Sequence, residues 1–491
     1  MEIESIKPFL AVAVSLLGAV LVAVTRRSPN IRDGCSLATA ALMLLISLSM
    51  IPAVLDGNTL RYTLFSLTSP PSISIAFRVD AMGLLFALHA ALLWIVIAPY
   101  SIGYMRTLGE HAQTRCHLCI ALVMSAAMGV SYAANLLTLY LFYEMASLCA
   151  YPLEVHAETE DAFGKGNKYV FYVFAWGKLC LLACLLAYGL SGTLDFNPKG
   201  IFPSTTAPFL LTLAFVLFLI GITKAVIVPF HAWLPPAAHG PAPFIPIYLI
   251  CGCGVGAFAI LRAVYYLFGL DMLEELNLGV PLFIAASLSI IVASVIALTK
   301  DDLKARLIYS TIGQISFTLF GAALLTPAGL TGGLLQFVSL AFGMTTLFFC
   351  VGAIFVASGK TRVSELNGIG KKMPFTMAAF AVGAFSVIGF PPFTGFTSKW
   401  YLAVGAAETG QYYAVAVLAV STILSAFYLL PIVYAAFFRN LPAGEQAERR
   451  EAPATMLVPL IVTAIGTTVL FFAPSLFLDL AGIAWGDVKG R

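Results

Sequence analysis

The sequence predicts an all-α protein that crosses a membrane many times. Three observations indicate this fold class: 60% of the 491 residues are hydrophobic, only 10% are charged, and apolar stretches long enough to span a bilayer recur along the chain. Because soluble domains carry about 25% charged residues, the composition excludes an ordinary soluble enzyme. A net charge of +3, without a basic cluster, also excludes nucleic-acid binding.

Hydropathy over windows of about 19 residues predicts about fourteen membrane helices. The polar segment before the third helix contains the alternating run SISIAF, which is typical of a short hairpin. The spans are expected at residues 8–25, 35–54, 81–101, 115–132, 134–152, 167–191, 208–230, 243–268, 279–299, 306–326, 333–358, 373–408 with a break, 413–437 and 455–481.

The basic residues of the loops predict the orientation. Seventeen Lys and Arg lie in loops that follow odd-numbered spans, and six lie on the opposite side. Since basic loops stay in the cytoplasm, both termini are expected outside, in agreement with an even number of spans. We therefore expect a multi-pass protein of the cell (inner) membrane, surrounded by the lipid bilayer. A cleavable signal peptide is not expected, because Arg26 and Arg27 follow the first apolar run.

Four charged residues inside long apolar stretches are the main functional candidates: Glu144, Lys178, Lys224 and Lys399. A charge at bilayer depth costs roughly 2.5–3.5 kcal/mol even on the lenient insertion scale. Such residues are therefore either paired or in contact with water, and four of them predict a path for ions or protons across the membrane.

Glu144 is the carboxylate well inside a span, and Lys224 is its expected partner. Burial disfavours the charged form of both side chains, whereas each stabilises the charge of the other when they are close. Such a pair can change its charge state when one member moves, which suits proton transfer. The alternative is a structural ion pair that holds helices together.

Prolines interrupt two of the predicted spans close to a lysine. Pro229 follows Lys224, and Pro391 and Pro392 precede Lys399. Broken membrane helices are tolerated where they line a cavity. Because broken helices 7 and 12 are five spans apart, they predict two five-helix repeats, spans 4–8 and 9–13. An odd number of spans makes the two repeats inverted in the membrane.

This repeat hypothesis divides the chain into four parts. Helices 1–3 with the polar extracytoplasmic loop precede the first repeat, and a final helix follows the second. The expected boundaries are 1–114 for the N-terminal helices, 115–268 for the first repeat, 279–437 for the second and 438–491 for the C-terminal helix.

Two histidines and several neutral polar residues are further candidates for a proton path. His231 and His239 flank Trp233 near the predicted cytoplasmic end of span seven, and histidine titrates near neutral pH. The two could relay protons to Lys224, or could simply bond to the backbone. Span ten contributes polar residues that either hold a file of water or join helices: Tyr309, Ser310, Thr311 and Gln314.

No cofactor and no metal site is predicted. The nine cysteines lie mostly in apolar segments, where cysteine behaves as a small apolar residue. Their CxxC and CxC spacings lack a second Cys or His pair. Neither an Fe–S, haem or flavin motif nor a nucleotide-binding motif is recognisable. Energy for transport is therefore expected from a partner subunit.

The combined motifs resemble those of the antiporter-like membrane subunits shared by respiratory complex I, membrane-bound hydrogenases and multisubunit sodium/proton antiporters. The chain looks most similar to the D-type antiporter protein or its hydrogenase counterpart. The resemblance covers residues 75–440 most strongly and rests on FRVDAMGLLFAL, LLTLYLFYEMASLCAYPL, GITKAVIVPFHAWLPPAAHGPAP, DDLKARLIYSTIGQISF and GFPPFTGFTSKW.

The resemblance implies fourteen helices, two inverted repeats and a translocation path for protons or cations, coupled to neighbouring membrane subunits. It also implies that Glu144 is the family's fifth-helix glutamate, Lys224 the seventh-helix lysine and Lys399 the charged residue of the broken twelfth helix. Protons are the expected ions, with sodium as the alternative.

Three departures from the family pattern affect the centre of this path. Gly254 stands where the family usually has an eighth-helix lysine, in GVGAFAILR. Leu340 and Met344 replace the eleventh-helix His and Lys, and Gln314 replaces a tenth-helix His. Lys178 is hypothesised to compensate by restoring a charge near the middle of the path.

The sequence therefore supports three hypotheses. The first is an ion-translocating subunit of a larger complex, related to ion-pumping oxidoreductases or antiporters and without a redox centre of its own. The second is a non-conducting structural subunit that evolved from such a pump, which the lost central charges favour. The third is a stand-alone solute carrier or a quinone-binding subunit, which the family resemblance disfavours.

Overall fold

The computed structural model describes residues 1–67, 73–237, 240–442 and 448–489. Long helices form most of these ranges. They are α1 (Lys7–Val24), α2 (Pro29–Leu48), α3 (Ala81–Thr107), α4 (Gln113–Ser131), α5 (Leu136–Glu154), α6 (Glu160–Ser191, with a π turn at Phe171–Ala175), α7 (Pro208–Gly221), α8 (Phe244–Phe268), α9 (Gly279–Thr299), α10 (Leu303–Ala323), α11 (Pro327–Ser358), α12 (Pro374–Ile388), α13 (Thr394–Glu408), α14 (Tyr412–Phe438), α15 (Ala454–Phe472) and α16 (Ser475–Lys489).

Eleven helices in the described ranges are long and apolar enough to cross a membrane. Two further apolar helices, α7 and α12, are shorter, and each is the first part of a span that was predicted to be broken. The predicted fold class, an all-α multi-pass membrane protein, is confirmed. The exact count of fourteen spans and the division into two inverted repeats stay predictions.

A small sheet covers the ends of the first helices. Strands β1 (Glu2–Glu4), β2 (Thr59–Leu67) and β3 (Ile73–Val79) lie in the order β1-β2-β3. The antiparallel pair β2–β3 confirms the predicted hairpin, with Leu60 opposite Val79. The parallel partner β1 was not predicted, because three residues carry too little alternation to be recognised.

Each broken helix ends three residues before the residue that marks its break. For α7 this residue is Lys224, and for α12 it is Pro391. After α7 ends at Gly221, a 3₁₀ turn covers Thr223–Ala225. After α12 ends at Ile388, Gly389 adopts a φ of +93°, a backbone conformation that favours glycine. The chain then passes the proline pair and re-enters a helix at Thr394. The sequence prediction of two interruptions is thus confirmed.

Four helices, α3, α8, α10 and α11, form the buried centre of the described residues; from Leu307 to Ala323, every residue of α10 except Tyr309 is buried. Among the most apolar 18 residues of each helix, at least 89% are buried in α3, α8 and α11. The corresponding share is 33–39% in α1, α2, α6, α14 and α15. The peripheral helices therefore present apolar side chains outward, as expected for contact with lipid or with neighbouring subunits. The two helix breaks lie beside this central group.

Candidate functional site

Lys224 lies in the 3₁₀ turn that follows α7, and only 1% of the residue is exposed. Its Nζ donates a hydrogen bond of 2.8 Å to the carbonyl oxygen of Tyr143 on α5. The same amine lies 4.4 Å from the centroid of the Tyr143 ring, a distance at which a cation is attracted to an aromatic face. The amine is therefore held by a carbonyl dipole and a ring.

A glycine on α8 permits this position of the lysine. A Cβ added to Gly256 would lie 2.2 Å from the nitrogen of Ala225 and 2.3 Å from the carbonyl carbon of Lys224. Real Cβ atoms do not approach backbone this closely, so the break and α8 pack together only because residue 256 has no side chain.

Glu144 follows Tyr143 on α5, and its carboxylate packs against α6. A Cβ on Gly177 would lie 2.6 Å from Oε1 of Glu144. Both carboxylate oxygens are buried, and within the described residues neither makes a well-formed hydrogen bond, although the neighbouring Tyr140 hydroxyl interacts with the carboxylate. Lys224 and Lys178 both act electrostatically on this carboxylate. The structure thus brings Glu144 and Lys224 together, although no ion pair within 4.0 Å forms between them in the described ranges.

Lys178 lies on the outer face of α6, one residue after Gly177. Its Nζ is 5.8 Å from the ring centroid of Phe174. The exposed Phe171, Leu182 and Leu185 lie on the same face, at helical spacing. This placement differs from the expected one near the middle of the path, because helical periodicity turns residue 178 away from the central helices.

Lys399 connects the two halves of the second broken helix. Its Nζ donates to the carbonyl oxygens of Val387 at 2.9 Å and Ile388 at 2.8 Å, which are the last carbonyls of α12. The C-terminal end of a helix carries a partial negative charge, so it stabilises a cation there. Both candidate lysines therefore donate to carbonyl oxygens near a helix break, and in the described ranges neither has a carboxylate within 4.0 Å.

A chain of neutral polar groups leads from α10 to the residue before Lys399. Ser398 donates to Oε1 of Gln336 at 2.6 Å, and Nε2 of Gln336 donates to Oε1 of Gln314 at 3.1 Å. Further along α10, Ser310 and the hydroxyl of Tyr428 are 2.8 Å apart. These bonds are direct, so they join α10 to α11, α13 and α14. They also place exchangeable protons in a row.

The centre of the molecule, by contrast, is aromatic. The Phe86 ring lies 4.7 Å from that of Phe258, 5.1 Å from that of Phe337 and 4.6 Å from His89. Phe258 lies two residues beyond Gly256 on α8, and Phe337 follows Gln336 on α11. A Cβ on Gly254 would lie 3.4 Å from the Phe86 ring. Rings thus fill the region between the two lysine sites.

His231 is half-buried beside α10. Its ring lies 6.3 Å from that of Tyr309, and the backbone of Pro229 interacts with the imidazole. The relay role predicted for it stays a prediction. His239 lies outside the described residues.

A buried ion pair between Asp80 and Arg262 was not predicted from the sequence. The guanidinium donates to both carboxylate oxygens, at 2.5 and 2.6 Å, and the two residues are 2% and 1% exposed. Asp80 also caps α3 by accepting from the Gly83 nitrogen at 2.8 Å. An aspartate before an apolar run, as in RVDAMG, is a typical pattern of a helix cap, but nothing local indicates its partner.

A second group that sequence reasoning missed lies where the α3–α4 loop meets the end of α5. Glu110, His111 and His156 converge there. Burial, together with the positive charges of nearby His111 and Arg115, lowers the pKa of His156 to about 4. Nothing in the spacing of these residues along the chain announced the group.

The fold and the buried charges together define a class: polytopic membrane proteins that hold ionisable residues beside interrupted helices at membrane depth. The chain belongs to the NADH:quinone oxidoreductase/Mrp antiporter transmembrane family, whose family model matches residues 133–425. The family predicted from the motifs is thereby confirmed.

Two relatives and one solved structure illustrate the similarity. NADH-quinone oxidoreductase subunit N of Desulforudis audaxviator is 32% identical, covering 94% of this chain and 93% of its own. The putative antiporter subunit mnhD2 of Staphylococcus aureus is 25% identical over 92% and 90% of the two chains. A chain of the membrane-bound sulfane sulfur reductase, an archaeal respiratory membrane complex, superposes with a TM-score of 0.88 at 22% identity, over 99% and 98%.

These findings make the chain an antiporter-like membrane subunit. The solved neighbour is one chain of an archaeal respiratory membrane complex.

Proposed function

We propose that this chain is the proton- or cation-translocating subunit of a multisubunit membrane complex. One observation carries the proposal most directly: the carboxylate of Glu144 is buried without a well-formed hydrogen bond in the described ranges, beside the Tyr140 hydroxyl and close to the amine of Lys224. A buried polar group left unpaired costs about 1–3 kcal/mol, and more when it is charged. Such a cost is retained where a second state of the pair has a function.

The first half of the proposed translocation path contains Glu144 and Lys224. Its two states differ in the hydrogen-bond partner of Lys224. In the open state seen here, Nζ donates to the Tyr143 carbonyl. In a closed state the amine would turn to Glu144, which adjoins Tyr143 on the same helix, and each charge would stabilise the other. Opening the pair removes that stabilisation, so the ammonium more readily gives its proton to water in the path.

The second half of the proposed path contains one amine, that of Lys399, and a row of uncharged polar side chains. Lys399 holds its proton against the last carbonyls of α12, and the row of Ser398, Gln336 and Gln314 leads away from it towards α10. Hydroxyl and amide groups carry no net charge, so they can hydrogen-bond a file of water without the cost of a further buried charge. Lys399 is thus assigned the titrating step of this half.

The test is Lys224→Ala in the assembled complex. Ion flux into vesicles containing the purified complex should be lost, while native electrophoresis shows all subunits still present. The matched control is Lys300→Ala, which removes an amine in the loop before α10. Full flux in an intact Lys224→Ala complex would contradict the assignment.

The aromatic centre favours a second candidate, a structural subunit without a complete path. Phe86, Phe258 and Phe337 occupy the region where Gly254 replaces the lysine expected from the family pattern. The variant Glu144→Gln separates the two candidates. A structural subunit tolerates this nearly isosteric change, whereas a conducting one loses flux.

A further inference from the structure

Three potential metal ligands meet where the α3–α4 loop touches the end of α5, on the side predicted to be cytoplasmic. The Nε2 of His156 lies 3.8 Å from Oε2 of Glu110, and the Nδ1 of His111 lies 3.9 Å from the same oxygen. All three ligand atoms are within 4.8 Å of one another. The two imidazole rings are roughly parallel, with centroids 4.7 Å apart.

His156 supplies a second, independent observation. Only 2% of the residue is exposed, and both ring nitrogens are buried without a hydrogen-bond partner in the described part of the chain. Buried ring nitrogens are normally satisfied, and an unsatisfied one calls for a specific explanation such as an ion. The edge-on ring of Phe244, with its centroid 5.2 Å away, helps to fix the imidazole.

The surroundings fit a cation despite a nearby arginine. Arg115 forms an ion pair with Glu158 and also donates to the carbonyl oxygen of His156 at 3.1 Å. The ion pair offsets part of its charge, although the guanidinium still acts on the His156 ring, and its contact with the backbone positions residue 156. His111 is exposed, which leaves the site open to ions from solution.

We propose that Glu110, His111 and His156 bind a divalent transition-metal ion, with Zn²⁺ the best match to the donor set. Two imidazoles and one carboxylate are common zinc ligands, and water completes the four positions. Ligand atoms at about 2.0–2.1 Å from zinc are about 3.4 Å apart in a tetrahedron. The two distances to Glu110, 3.8 and 3.9 Å, would have to shorten by about half an ångström. The two imidazole nitrogens, which lie within 4.8 Å of each other, would reach that spacing by rotation of the exposed His111 side chain.

A bound ion would tie the α3–α4 loop to the C-terminal end of α5, the helix that carries Glu144. The site stands on its own geometry and does not depend on ion translocation. Its loss and a failure of the proposed function are therefore distinguishable, because metal binding is measured without transport.

The test uses the purified, assembled complex after removal of metals with a chelator. Zn²⁺ is titrated against a chromophoric competing chelator. The wild type should bind one ion per chain more than His111→Ala. Because His111 is exposed, this substitution should not unfold the chain. Glu110→Gln and His156→Gln should each weaken this site at least about tenfold. Glu158→Gln, which removes a neighbouring carboxylate already paired with Arg115, should leave it unchanged.

Cobalt gives a spectroscopic control on the ligands. Co²⁺ in the wild type should show d–d absorption that is lost in His111→Ala, and His156→Cys should retain the ion with an added thiolate band. Equal zinc stoichiometry and affinity in the wild type and His111→Ala would overturn the proposal, as would the absence of zinc binding by the wild type.

Discussion

The ion pair of Asp80 and Arg262 allows a quantitative prediction for the variant Arg262→Met. The pair is bidentate and almost completely buried, so removal of the guanidinium leaves a buried carboxylate without its ion-pair partner, although the charge of Arg78 still acts on it. Breaking such a pair costs about 3–5 kcal/mol. The Gly83 nitrogen still donates to Asp80, which places the expected loss in unfolding free energy near the lower end, at about 3 kcal/mol.

A double-mutant cycle isolates the electrostatic part of this loss. Asp80→Asn keeps an oxygen for the α3 cap but removes the charge. Asp80→Asn/Arg262→Met should therefore recover at least about 1.5 kcal/mol of the sum of the single losses. Unfolding free energies would be measured by titrating the purified chain in mixed micelles with SDS.

The surface provides the matched control and the refuting result. Arg61 pairs with Glu2 at 3.2 Å, but both side chains are well exposed, so Arg61→Met should cost no more than about 1 kcal/mol. Strictly additive losses of unfolding free energy for Asp80→Asn and Arg262→Met would refute the reasoning. Equal losses for Arg61→Met and Arg262→Met would do the same.

Three further predictions concern the candidate site and the loop region. Lys399→Met should lower ion flux, because the last carbonyls of α12 lose their cation; a complex that assembles and transports normally would remove Lys399 from the path. Lys178→Met should impair transport or assembly if Lys178 compensates for the missing central lysines, and unchanged flux and subunit content would end that hypothesis. Because the pKa of His156 is lowered from 6.5 to about 4, the unfolded chain takes up a proton between these pH values and the folded chain does not. Thermal stability should therefore fall with acidification over this range, and less steeply in His156→Gln, whereas equal slopes for the two proteins would contradict the shift.

Local signals were enough to predict the architecture and the two helix breaks. Proline and glycine act within a few residues, so FPPFTG and the proline after Lys224 indicate an interruption wherever the chain folds. Apolar spans predict membrane crossings from local sequence as well, because each span must be long enough to cross the hydrocarbon core of the bilayer. The lysines beside the breaks were therefore predictable as candidates.

Partners distant in the chain were not predictable. Asp80 and Arg262 are 182 residues apart, and no periodicity links them. Glu144 and Lys224 were expected to form a direct pair, but the Lys224 amine instead donates to the carbonyl oxygen of Tyr143, the residue before Glu144. The outward direction of Lys178 depends on the rotation of α6 against α5, which tertiary packing determines.

The cluster of rings between the two lysine sites has a kinetic consequence. Aromatic side chains hold no water file, so protons cross such a layer only after wetting, when the rings part and solvent briefly enters. The slow event would then be hydration of the middle rather than any single proton transfer. Transport through such a barrier would respond steeply to the bulk of Phe86, Phe258 and Phe337, and only weakly to their charge environment.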